Sequence, residues 1–89
     1  MALTKATLID LNSNELILDL DADTSITADT DDTIHFKIAG SDEITMTATA
    51  FAPSTSDGQA LGTSSLMFAD LFLASGSVVN FNNGDVTLT

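Results

Sequence analysis

The chain has no cysteine, tryptophan, tyrosine or arginine, and a single proline. Without cysteine it builds neither disulfides nor thiolate metal sites, and its lone histidine, His35, cannot assemble a zinc centre. No apolar run exceeds four residues, which argues against a transmembrane helix or a signal-peptide core within these residues. Positive charge is almost missing: Lys5 and Lys37 stand against thirteen Asp and Glu, a formal net charge of -11. Such an excess repels phosphate backbones and anionic lipid, so no nucleic-acid or membrane-surface binding is expected.

Size is short too. Eighty-nine residues make one small domain, and a chain of that length buries only about 60% of its unfolded surface. Five Phe are its only aromatics. A thin core without disulfide or metal staples points to a homo-oligomer, with neighbouring copies supplying the missing burial.

What is present is β chemistry. Apolar residues make up 44% of the chain, too many for a disordered acidic tail. Among the polar residues are thirteen Thr, nine Ser and eleven Asp, but only two Glu and two Lys. Thr favours strands, Asp and Ser favour turns, and the residues that normally solvate a helix surface are scarce. The expected class is all-β: short antiparallel strands and hairpins, completed by assembly.

Four stretches follow from composition and period. Residues 1–14 show no firm period, and Leu3, Ile9 and Leu11 suit an added strand or contact with a partner. Residues 15–53 form a β-hairpin domain. Within it Leu16, Leu18, Leu20 and Ala22 alternate with Asp19, Asp21 and Asp23, as in a half-buried strand, and Thr24, Ile26 and Ala28 keep the phase. After a turn at Asp29 to Asp32 comes the clearest hairpin. Ile34, Phe36 and Ile38 alternate with polar residues, Gly40-Ser41-Asp42 turns, and Ile44, Met46 and Ala48 alternate with Thr45, Thr47 and Thr49. Phe51-Ala52-Pro53 closes the unit. Residues 54–65 read as a Ser/Thr/Gly loop or linker. Residues 66–89 form a second β segment: a turn at Leu66–Ala69 feeding a strand over Asp70–Ala74 (the alternative being a short helix capped by Ser64), then a hairpin about Asn82-Asn83-Gly84-Asp85. That last arm, Val86 to Thr89, is too short to stand alone, so continuation of the chain or a neighbour is expected to cover it.

The sequence assembles no catalytic set and calls for no cofactor. Alternating Asp19, Asp21 and Asp23 match the first ligands of a calcium-binding EF-hand loop, but Thr24 stands where that loop needs Gly and Thr30 where it needs a bidentate Glu. A solvated strand face is the plainer reading, with calcium at Asp19, Asp21 and Asp23 the minor one. His35 has no Cys, Ser or second His in a recognisable arrangement, and reads as a surface or intersubunit residue. Neither Gly58 nor Gly62 belongs to a phosphate-cradling loop. An enzyme is not expected.

Several segments resemble structural proteins of tailed bacteriophages, especially marine ones. The opening Met1-Ala2-Leu3-Thr4-Lys5 is similar to the start of many tail-fibre and tail-spike chains. Leu18 to Gly40, LDLDADTSITADTDDTIHFKIAG, resembles a module recurring in such virion proteins. Leu61-Gly62-Thr63-Ser64-Ser65 followed by Asp70-Leu71-Phe72-Leu73 is similar to a fibre motif reading LGSS and then DLYL, and Asn80 to Thr89 (NFNNGDVTLT) matches the type. His35 departs from the pattern, standing where an acidic residue is common.

The resemblance implies a β-rich, commonly trimeric virion protein without enzymatic activity, and carries over no binding residue. It implies the anchoring or shaft-starting part of a tail or capsid fibre, with 1–14 docking on the particle, 66–89 leading into a shaft or a neighbouring chain, and other virion proteins as partners. The alternatives are a capsid decoration or cement protein bridging capsomers, and, from another class, a calcium-dependent binding module of an adhesin. A native chain longer than these residues favours the fibre, and a flat calorimetric titration with calcium eliminates the adhesin module.

Overall fold

A computed structural model describes residues 9–89. The expectations placed on Leu3, and on the first eight positions of the 1–14 segment, lie outside the described residues. Within them the chain is all-β, as its composition predicts. Strands β1 (Leu16–Ile17), β2 (Ser25–Thr27), β3 (Ile34–Ile38), β4 (Ser41–Met46) and β5 (Phe51–Pro53) form one antiparallel sheet in chain order. Strands β6 (Val79–Phe81) and β7 (Val86–Leu88) pair separately as a hairpin.

The β3–β4 hairpin is the centre of the sheet. Ile34 faces Met46 and Phe36 faces Ile44, so the alternating apolar residues of both arms share one face. The turn is tighter than expected. It consists of Ala39 and Gly40 alone, at φ 52 and 88, the positive values a two-residue type I′ turn requires. Ser41 and Asp42, read from the sequence as turn residues, belong to β4 instead.

A bulge then re-aims β4. Lys37 pairs with Asp42 while Phe36 pairs with Ile44, leaving Glu43 as the extra residue. Strict alternation would place Asp42 beside Ile44 and Met46. The bulge carries it to the opposite face, beside Lys37.

Three other stretches depart from the sequence reading. The alternation over Leu16–Ala22 yields only two strand residues, because the chain turns back at Asp19. There the Asp19 carboxylate accepts the Thr24 N–H at 3.1 Å, Ala22 adopts φ 63, and Leu20 projects fully into solvent. The unit closes on Phe51–Pro53 as a fifth strand. Its proline is tolerated because β5 is an edge strand. The Thr-rich return arm ends early, in a turn over Thr47–Ala50 where the Thr47 N–H donates to the Ala50 carbonyl at 2.9 Å. Finally, no strand forms over Asp70–Ala74. Residues 61–73 form an irregular arm with local hydrogen bonds such as Thr63 N–H to Leu66 C=O at 3.0 Å.

Burial is inverted. Among the described residues no apolar side chain is buried, and the two buried residues, Ser25 (1% exposed) and Thr27 (6%), lie on the polar face of the sheet. The expected core of Ile34, Phe36, Ile38, Ile44 and Met46 exists as a face, not as an interior. Phe36 and Ile44 are half-buried, and Ile34, Ile38 and Met46 are exposed. The radius of gyration is 17.5 Å, where a compact chain of this length has about 12 Å. The accessible surface is 7898 Å², against about 4,900 Å² for a compact monomer of 9.2 kDa.

Candidate functional site

Two faces of one sheet carry the chemistry. On the apolar side, register places Leu16, Ile26, Phe36, Ile44 and Pro53 in one cross-strand row. Ile34, Met46 and Phe51 form the next row, and Ile38 lies opposite Ser41. No member is charged. At its β5 edge the face meets the start of the 61–73 arm, where Leu61 joins Ile44, Phe51 and Pro53 around a hollow of 210 Å³. An apolar surface of this kind offers burial and shape rather than reactive groups.

The polar side carries two hydrogen-bonded groups. Glu15 accepts from Ser25 Oγ at 2.5 Å and from Lys37 Nζ at 3.1 Å. The Ser25 hydrogen bond, then the Lys37 ammonium, hold the Glu15 carboxyl below its ordinary value; the same contact with Glu15 raises Lys37. His35 pairs across the strands with Thr45, whose Oγ1 lies 3.3 Å from Nδ1 and 2.7 Å from Ser54 Oγ. Asp29 approaches its Nε2 at 3.7 Å and Asp42 its Nδ1 at 3.6 Å. His35 is thus enclosed more deeply than a surface residue, by neighbours on its own sheet. Beside it Glu15, Thr27, Asp29, Lys37 and Asp42 line a polar hollow of 480 Å³. The Thr27 hydroxyl is buried without a hydrogen-bond partner.

The three aspartates singled out by spacing do come together, though not on a strand. The turn after β1 brings one carboxylate oxygen from each of Asp19, Asp21 and Asp23 within 4.8 Å of the others. Lost water contact pushes the Asp19 carboxyl up, but hydrogen bonds from Thr24 and Asp23 outweigh it and leave the group lowered. Asp23 is raised, first by its hydrogen bond to Asp19 and then by Asp21, so it is the member that keeps a proton longest. The cluster offers hard oxygen ligands at an open turn. It has neither the glycine, the distal glutamate nor the flanking helices of an EF-hand.

Sequence reasoning missed the Glu15–Ser25–Lys37 network, because its members are far apart in the chain and meet only through the β1–β2–β3 register. It also missed the apolar arm. The available signal was an apolar segment, Leu61 to Leu73, without either strand or helix period. Among the described residues no helix is long and apolar enough to cross a membrane. No family model, curated protein or solved structure matches this chain.

Proposed function

We propose that this protein is a structural component of a phage virion, the anchoring or shaft-starting part of a trimeric tail or capsid fibre. One observation carries the structural reading: a β sheet whose polar side chains bond to one another across the strands and whose apolar face is left open among the described residues. Such an open apolar face gains stability by closing against other chains. The function is mechanical. Strands from several copies share one core, the Asp-rich turns stay in water, and cations screen the repulsion between copies of charge -11. The choice of a virion rests on the resemblance of the Leu18–Gly40, Leu61–Leu73 and Asn80–Thr89 segments to fibre proteins.

The test has two arms. Native mass of the folded protein should give a trimer at micromolar concentration, and a stable folded monomer of 9.2 kDa would overturn the assembly reading. Antibody labelling of intact particles should mark a fibre or its attachment point. Labelling spread evenly over the shell would replace the fibre with a capsid decoration protein, and no labelling would remove the virion assignment.

A further inference from the structure

We infer that the apolar face of the sheet in one copy is covered by the 61–73 arm of a second copy of this chain. The inference rests on the assembly reading above and adds which surfaces meet. The face and the arm are both apolar and both open among the described residues. Phe51 on the face is 65% exposed, and Phe72 on the arm is 90% exposed. The arm does not fold back over its own sheet beyond Leu61, so neither surface satisfies the other within one chain.

Charge permits the contact. The two cross-strand rows carry no charged residue, the nearest carboxylate, Glu43, is hydrogen-bonded to Gln59 at the rim of the Leu61 hollow, and Asp70 is the single charge of the arm, so the contact sets no two like charges directly together. Reach permits it as well. Residues 66–73, if extended, span about 26 Å, and five strands spaced by ~4.8 Å are about 19 Å across. The arm leaves the sheet at the β5 edge of the apolar face, beside the surface it would cover in a neighbour.

Symmetry favours arm on face over face on face. Two faces pressed together would leave both arms uncovered and still in need of a partner. When every copy gives one arm and takes one, each apolar surface is closed in any cyclic assembly. The surface exposed beyond that of a compact monomer is about 3,000 Å² per chain, ample for an obligate interface, which buries roughly 1,000–2,500 Å² per partner.

The absence of cysteine makes the test clean, since single-cysteine variants can form only interchain disulfides. Full-length M46C and F72C are refolded together and gently oxidised, and the products are read by intact and peptide mass. The expected result is the mixed 46–72 disulfide in clear excess over both symmetric ones. An oligomer that yields mainly 46–46 links, or no mixed link, would overturn the arm-on-face contact while leaving assembly standing. A protein that is folded and monomeric throughout would overturn both. Should either variant fail to fold, I34C with L71C reads the same contact by the same outcomes.

Discussion

Replacing Phe51 by alanine measures how much of this fold is held by neighbours. The side chain lies on edge strand β5 opposite Met46 and is 65% exposed in the single chain. A phenylalanine offers about 200 Å² of surface, so roughly 130 Å² remains to be covered on assembly. At ~25 cal/mol per Å² that is about 3 kcal/mol, and the methyl group retained by alanine reduces the loss to about 2–3 kcal/mol. Because a tenfold change corresponds to about 1.4 kcal/mol, F51A should weaken each intersubunit contact roughly 30- to 150-fold. Sedimentation equilibrium over a wide concentration range reads this directly as a rise in the dissociation concentration. Leu20→Ala is the control. Leu20 is as fully exposed as a side chain can be, but it sits on the aspartate turn, away from the face. Equal dissociation concentrations for F51A and the unmodified protein would refute the reasoning, as would an equal loss in L20A.

Thr27→Val removes a buried hydroxyl that has no hydrogen-bond partner. Urea midpoints compared at fixed protein concentration should rise by the equivalent of about 1 kcal/mol. Ala39 occupies a left-handed position of the β3–β4 turn, at φ 52 ahead of Gly40. Ala39→Asn should therefore stabilise the protein by about 0.5–1 kcal/mol, visible as a higher melting temperature. Glu15 is depressed below 4.5, so its contribution is present above that pH and lost as pH falls through its lowered value; Lys37 is raised above 10.5, so its contribution is present below that pH and lost as pH rises through its raised value. Glu15→Gln should lower urea midpoints slightly between pH 4.5 and 10.5 and leave them unchanged well below that window. Asp23 has a raised value, so its favourable share is present below 3.8 and lost as pH rises through the raised value. Asp23→Asn should accordingly stabilise the protein at pH 7 but not at pH 3, an outcome read from the same titrations.

Period and turn chemistry determined much by themselves. The two-residue alternation of Ile34, Phe36 and Ile38 with Ile44 and Met46 specifies an antiparallel hairpin with one apolar side, since successive side chains of a strand point oppositely. Asn82-Asn83-Gly84 specifies the final turn, and all three residues take positive φ there. The aspartate spacing identified a cluster of carboxylates correctly while misjudging its support, because alternating Asp looks the same on a strand as on a turn. Only pairing with β2 and the capping of Thr24 by Asp19 decide that the chain reverses. The bulge at Glu43 is likewise invisible in the pattern, yet it moves Asp42 to the polar face. Alternation predicts that one side of a sheet is apolar, and that much is local. Whether anything lies against that side depends on contacts between distant segments or distinct chains. Here the tertiary structure leaves the apolar side open, because none of the described residues forms a second layer over it.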